Sequence, residues 1–184
     1  MHYTSSHIFG PISYFSLYFN QGAALIDLHE NYQKRSPRNR YVIAGPDGRI
    51  TLTIPLKKGK NQQQNMHDVH ISYDEDWVSL HEKTIISNYK RAPYFEYYMP
   101  HISEVLHSGH ELLHAMNTMA LQKILHLLQA DIDIKFSTDY IEDKSYDGIE
   151  CAPYAQVFEY KHGFTSGLSI LDLLFCVGAE AKCF

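Results

Sequence analysis

Cysteine is scarce in this chain of 184 residues: Cys151, Cys176 and Cys183 are three in number and contain no C-x-x-C pair. Neither a disulfide framework nor a zinc cage follows from that spacing, and reduced thiols in a cytoplasmic setting are the expectation. Net positive charge is also lacking, since 21 Asp and Glu outweigh 16 Lys and Arg to leave a formal charge of −5. A general nucleic-acid binder needs the opposite sign to displace counterions, so nucleic acid is not an expected partner and anionic membranes exert no attraction. Long hydrophobic runs are missing as well. The longest, Leu168 to Ala179, is interrupted by Asp172 and is too short to span a bilayer. The N-terminus, Met1 to His7, has no basic region followed by an apolar one, so it does not read as a secretory signal.

Phosphate-cradling and nucleophile motifs are absent too. No Gly-x-Gly-x-x-Gly or Gly-x-x-x-x-Gly-Lys loop occurs, which removes support for a dinucleotide or Walker-type site, and no Gly-x-Ser-x-Gly elbow occurs. Nothing marks Cys151 as an activated nucleophile. His107, His110 and His114 are spaced by three and four residues, with Glu104 and Glu111 beside them. No metal is expected from this group, and no cofactor is identified.

What remains is ordinary globular material, 45% hydrophobic and 20% charged, of a length that suits one domain spanning residues 1–184. The chain is rich in tyrosine (14) and histidine (12). Tyrosine gives flat contact area with a polar tip, which suits binding surfaces as well as half-buried strands.

Hydrophobic periodicity orders the chain. His7-Ile8-Phe9 is a short strand candidate, Gly10-Pro11 a loop, and Ile12, Tyr14, Phe15, Tyr18 and Phe19 the apolar face of a helix with proline at its start. The run Ala23 to Leu28 is a buried strand, so the opening reads as βαβ, with ligand expected beyond the carboxyl ends of the strands. Two runs, Tyr41 to Ala44 and Arg49 to Pro55, flank Gly45-Pro46-Asp47-Gly48 and predict a β-hairpin. Lys57 to Asn65 is polar and aperiodic, a surface loop that could serve as a lid. Val69 to Tyr73 alternates as a strand. Helical spacing then runs from Trp77 to Asn88, from Tyr94 to Leu106 with a kink or split expected at Pro100, and from about His110 to Gln129. The third of these predicts an apolar face of Leu112, Leu113, Met116, Met119, Ala120, Ile124, Leu127 and Leu128. Ile132 to Phe136 alternates as a strand, Glu142 to Cys151 is turn-rich, and Leu168 to Cys176 is helical again. The fold class is α/β: a single domain with a mixed sheet, a βαβ-like opening, a hairpin and several packed helices.

One stretch concentrates the candidate chemistry. His29 to Arg40 holds four cations, Lys34, Arg35, Arg38 and Arg40, within an acidic protein. Guanidinium groups offer planar forks to phosphate or carboxylate oxygens, and in an extended segment Arg38 and Arg40 share a face opposite Asn39. His29 and Glu30 form a candidate catalytic pair, because imidazole titrates near neutrality and can take a proton from a hydroxyl or amine. Adjacent strand residues point to opposite faces, so the two share a face only if the strand has ended. His81 lies one turn from Trp77 and joins Tyr14, Tyr32 and Asn39 as a candidate substrate contact.

Several spaced motifs together resemble the WbqC-like protein family. They are His29-Glu30-Asn31-Tyr32-Gln33-Lys34, Arg38-Asn39-Arg40, Ile54-Pro55, the Trp77 to His81 spacing and Tyr89-Lys90-Arg91-Ala92-Pro93-Tyr94-Phe95. Val157-Phe158, Gly163-Phe164 and Leu168 to Leu174 are similar to the C-terminal end of a Bacteroidetes-type subgroup. The family's lysine, asparagine and arginine fall on Lys34, Asn39 and Arg40. The chain has Ser6-His7-Ile8-Phe9-Gly10-Pro11 where more typical members open with His-Gln-Pro-Asn, and Leu28-His29 near a carboxylate pair of those members. The resemblance implies surface-polysaccharide biosynthesis, with acyl or aminoacyl transfer to sugars as the chemistry. The leading expectation is a transferase whose cations hold a phosphorylated small molecule or nucleotide sugar; the alternative is a non-catalytic module that binds an anionic glycan or a partner protein. Donor, acceptor and oligomeric state are not set by these residues.

Overall fold

Two parallel strands joined through a helix begin the fold: β1 (His2–Ser5), α1 (Ile12–Phe19) and β2 (Ala23–Asp27). The structure is a computed structural model that describes residues 2–19, 23–57, 64–130, 132–141 and 152–183. Pro11 immediately precedes α1, as a residue with no amide hydrogen should. β5 (Asp133–Phe136) adds to the other side of β2, also parallel, so the order is β1-β2-β5. Ser5, Asp27 and Phe136 therefore end at the same edge.

The hairpin forms as its sequence dictates. β3 (Arg40–Gly45) and β4 (Gly48–Thr53) pair antiparallel around Pro46-Asp47, with Gly45 opposite Gly48 and Gly48 at φ 117°, a conformation that favours glycine. Among the described residues the hairpin is a separate two-stranded sheet, so parallel and antiparallel pairing occur in different layers.

Helices close the core. α2 (Trp77–Tyr89) starts at Asp76, whose carboxylate accepts from the Ser79 amide at 3.2 Å. α3 (Phe95–Leu106), α4 (Leu113–Leu127), the one-turn α5 (Glu159–His162) and α6 (Ile170–Val177) follow. α6 is the most enclosed: Ile170 through Phe175, Asp172 included, are buried, and Ser169 caps it by accepting from the Leu171 amide at 3.2 Å.

Four expectations shift. The first strand is His2–Ser5, not His7-Ile8-Phe9; the later residues have left the sheet, and the Ile8 amide donates instead to the Pro37 carbonyl at 3.2 Å. Ile8 and Phe9 are buried, so their apolar character reports the core and not a ladder. Val69 to Tyr73 makes isolated bridges, His70 with Leu112 and Ile71 with Leu56, and no regular strand. α3 runs through Pro100 without a break. In α4 the buried face is Leu113, Met116, Asn117, Ala120, Leu121, Ile124 and Leu125, while Leu112, Met119 and Leu127 are half-buried. The lid candidate falls mostly on residues 58–63 and the turn-rich stretch on 142–151, both outside the described residues. No helix among the described residues is long and apolar enough to cross a membrane.

Candidate functional site

At the carboxyl edge of β1 and β2 the chain buries an ion pair. Arg38 donates from Nε to Glu30 Oε1 at 2.9 Å and from Nη2 to Glu30 Oε2 at 2.6 Å, a bidentate fork with side chains only 6% and 4% exposed. Ser5, the last residue of β1, sits between them: its hydroxyl accepts from Arg38 Nη2 and donates to Glu30 Oε2, both at 2.9 Å. Charge, geometry and hydrogen bonding are thus all satisfied internally, the condition under which a buried pair is tolerated.

The surrounding loops are stapled to this pair. Asn117, facing inward from α4, donates to the carbonyls of Ser6 (3.3 Å) and Arg38 (2.9 Å). Residues 28–32 are held against the 3-10 turn Met66–Asp68, where the Met66 amide donates to Glu30 O and the His67 amide to Leu28 O, at 2.8 and 3.1 Å. Asp27, fully buried, accepts from the His29 amide (2.8 Å), the Ser137 hydroxyl (3.1 Å) and the Ile141 amide (3.1 Å). It thereby ties the ends of β2 and β5. The His7 ring stacks on Tyr14, with centroids 4.3 Å apart, and Tyr14 donates its hydroxyl proton to the Ser5 carbonyl at 3.1 Å. Burial, with the Arg38 charge assisting, lowers the His7 pKa to about 3, so this imidazole is neutral.

The predicted residues separate into two sets. Arg38, Glu30, Tyr32, Asn39 and Tyr14 are brought together in the interior. Tyr32 donates to Asn39 Oδ1 at 2.8 Å, and Asn39 donates in turn to the Ile54 carbonyl at 2.9 Å, which fixes the entrance to β3. His29, Lys34 and Arg35 are exposed. Arg35 has φ 59°, an unusual conformation for a bulky residue, so the loop turns sharply there. Strand β2 ends at Asp27, before His29 and Glu30, yet one of the two is exposed while the other is buried. Arg40 lies between the sets. It is half-buried, and its Nε is shielded from solvent with no hydrogen-bond partner among the described residues. Arg40 is the larger of two cationic influences that oppose the upward, burial-driven shift of the Tyr32 hydroxyl pKa. A guanidinium donor is therefore unspent beside Tyr32.

His81 belongs elsewhere. Its Nδ1 is hydrogen-bonded to the Tyr41 hydroxyl at 2.9 Å, and its ring meets Trp77 edge-on at 5.1 Å between centroids. Tyr41 neighbours Arg40 in β3, so it points to the other face of the hairpin. Burial lowers the His81 pKa to about 4, against a hydrogen bond to the Thr53 backbone that raises it, and leaves a neutral core imidazole.

The run His110-Glu111-Leu112-Leu113-His114 has the H-E-x-x-H order of helical zinc sites. Such a site needs both histidines on one helical face, and here α4 begins only at Leu113. Residues 111–113 are instead extended against 69–71, with the Ile71 amide donating to Glu111 O at 2.8 Å and the Leu113 amide to Val69 O at 2.9 Å. His114 stacks on His67, at 5.3 Å between centroids. No group of three potential metal ligands converges among the described residues.

Sequence reading missed Ser5, His7, Asp27 and Asn117. Asn117 had a signal, because it is polar within the apolar face of α4. Ser5 had none, since its part depends on where residues 30 and 38 meet it.

The profile of the WbqC-like protein family matches residues 6–150. The chain belongs to that family. The matched span contains every residue of the buried pair's surroundings except Ser5, and it includes Lys34, Asn39 and Arg40. Within curated proteins the WbqC-like chain is similar to the uncharacterized protein Rv1507c of Mycobacterium tuberculosis (strain ATCC 25618 / H37Rv). The two are 25% identical over 189 aligned positions, covering 82% of this chain and 81% of the relative. No solved structure matches.

Proposed function

We propose that this WbqC-like protein is a group-transfer enzyme acting on a nucleotide-linked sugar in surface-polysaccharide biosynthesis, moving an acyl or aminoacyl group. The observation that carries the reading is Arg40, a half-buried cation with an unspent Nε donor beside Tyr32. In this reading Arg40 holds a phosphate oxygen, while Lys34 and Arg35 extend the positive surface outward. Arg38 is not a ligand contact: its fork is turned on Glu30 and holds the 30–38 loop in place. Tyr32, Asn39 and Tyr14 position the sugar side by fixing the loops around it.

His29 serves in proton transfer, because its exposed imidazole, just past the end of β2, can accept a proton from an acceptor group. It takes the proton of an acceptor hydroxyl or amine as that atom bonds to the acyl carbon; the donor's leaving group departs with the electron pair of the broken bond. Glu30 has both oxygens engaged by Arg38 and Ser5, so its part is positioning. Phosphate bound near fixed cations in a partly dry site gains more than it would in water.

Thermal unfolding across nucleotide sugars and coenzyme A derivatives tests the anion site. A ligand at a hundred times its dissociation constant adds about 2.7 kcal/mol; Arg40→Ala removes that shift and the exposed Lys34→Ala weakens it. An unchanged shift in Arg40→Ala moves the site elsewhere. Incubation with nucleotide sugars and acyl donors gives a mass-shifted sugar under the transferase reading; binding without turnover assigns the same surface to a non-catalytic anionic-glycan module.

A further inference from the structure

A concave region lies away from the ion pair, where the end of α2 faces the segment before and within α5. Its volume is about 490 Å³, and its walls include Lys90, Arg91, Gln156, Phe158, Tyr160 and Cys176. That size is in the range that takes a small organic ligand.

Charge distinguishes this cleft from the rest of an acidic surface. Among the described residues, no Asp or Glu lines it. Lys90 and Arg91 are exposed, and neither side chain makes an ion pair or hydrogen bond among the described residues. Lys90 is the C-cap of α2, where the helix dipole alone accounts for a cation. Arg91 lies beyond the helix, in the turn that the Ala92 amide closes on the Tyr89 carbonyl at 2.8 Å, and the dipole does not explain it. Glu159, next to Tyr160, is turned onto the Gln156 amide at 3.3 Å.

The opposite wall is rigid and partly aromatic. The Gln156 side chain accepts from the Thr165 amide at 2.8 Å and donates to the Thr165 carbonyl at 3.0 Å and to Asp172 at 3.1 Å, so that side chain is pinned. Tyr160 stands at the rim, 81% exposed, with a ring face open to solvent. The Cys176 thiol is pushed up to about 12 by burial and by Asp172, so the floor stays neutral and does not repel an anion.

We propose that this cleft is a second ligand site that takes a nucleoside diphosphate, its base on Tyr160 and Phe158 and its phosphates on Lys90 and Arg91. Two adjacent unpaired cations match a diphosphate, and an open phenol ring offers a stacking face that tolerates any base. The site is independent of the Arg40 reading.

Calorimetric titration of the full chain with ADP, UDP, adenosine and inorganic pyrophosphate tests it. ADP and UDP bind, pyrophosphate competes, and adenosine alone binds at least about tenfold more weakly. Lys90→Ala/Arg91→Ala weakens ADP binding about a hundredfold, since each charge-assisted contact accounts for roughly a factor of ten or more. Tyr160→Ala weakens it about tenfold while Tyr160→Phe restores it, because the ring and not the hydroxyl makes the contact. Arg40→Ala leaves ADP binding at this cleft intact. Absence of ADP and UDP binding at millimolar concentration overturns the proposal. So does binding that Lys90→Ala/Arg91→Ala leaves unaltered, or binding that only Arg40→Ala removes. Lys90, Arg91 and Tyr160 are exposed, and unchanged circular dichroism confirms that all the variants, Arg40→Ala included, fold.

Discussion

Arg38 and Glu30 show how a residue's environment overrides its type. Both are charged and lie in a polar stretch, so Arg38 reads as a ligand contact and Glu30 as a catalytic candidate; the fold makes each the other's partner, with Ser5 completing the set. Removing one partner strands a buried charge. Glu30→Gln or Arg38→Ala therefore costs about 3–5 kcal/mol, whereas Glu30→Leu with Arg38→Met costs less than either single change. Urea denaturation of the three variants checks this, and a double variant less stable than both singles would contradict it. Histidine makes the pH dependence. His7 and His81 are held neutral in the fold, with pKa values lowered to about 3 and about 4 from a usual 6.5. The unfolded chain binds these protons first as pH falls, so their stability contribution is complete above pH 6.5 and is lost progressively toward pH 3–4. The loss attributable to His7 is of order 3–5 kcal/mol. Urea midpoints measured from pH 7.5 to 4.5 should fall, and His7→Gln should flatten that slope; a slope unaffected by His7→Gln would rule this group out as its source.

Elements were legible where local chemistry alone decides them. Pro46-Asp47-Gly48 fixes the hairpin whatever surrounds it, and Pro11 starts α1 because a helix's first residues have no use for the missing amide hydrogen. Legibility failed where a distant partner decides. Ile8 and Phe9 look like a strand but spend their backbone elsewhere, Ile8 on Pro37 and Phe9 on the Ser169 hydroxyl, and residues 69–73 alternate yet meet only single bridging neighbours. The candidate site was half visible for the same reason: the cationic stretch could be read from composition, but which cation would be free depended on Ser5, Glu30 and Asn117 arriving from other elements. Pro100 is the clearest conflict between local and tertiary preference. It lies inside α3, exposed, where a proline has no amide hydrogen to give the helix, while Tyr98, Met99 and Ile102 around it are buried. Packing on that face holds the helix continuous against the proline. Pro100→Ala should raise stability by about 1–3 kcal/mol, less than the full helix penalty because proline also restricts the unfolded chain. Thermal denaturation reads the change, and a destabilised variant would mean that the proline's bend is required for the packing.

At the scale of the molecule, the matched family span ends at residue 150 while the core does not. α6 lies beyond that boundary and buries Ile170, Leu171, Leu173, Leu174 and Phe175 completely or nearly so. Each such side chain contributes about 1.5–3 kcal/mol by leaving water, so together they match the entire net stability of an ordinary domain. Polar contacts register the helix as well. Ser169 donates its amide to the Val42 carbonyl and its hydroxyl to the Phe9 carbonyl, both at 2.7 Å, which joins the hairpin to the β1–α1 loop. Asp172 accepts from the hydroxyls of Tyr89 and Tyr154 at 2.6 and 2.5 Å and from Gln156 at 3.1 Å. One buried carboxylate thus fastens α2, the segment leading to α5 and α6 to each other, and through Gln156 it sets a wall of the cleft at the end of α2. A chain cut after residue 150 should therefore lack cooperative unfolding and near-ultraviolet dichroism, since the apolar faces that α6 covers would be open to water. In the full chain Asp172→Ala should cost about 2–4 kcal/mol by removing a buried carboxylate acceptor shared by two phenol hydroxyls, and Asp172→Asn should cost less because its amide oxygen still accepts. Burial raises the Asp172 pKa, so the native state takes up this proton before the unfolded chain does and the destabilising charge is relieved as pH falls. The margin of wild type over Asp172→Asn should consequently widen as pH falls, and a pH-independent margin, or a 1–150 fragment that unfolds cooperatively, would show that the C-terminal helix is an appendage and not part of the core.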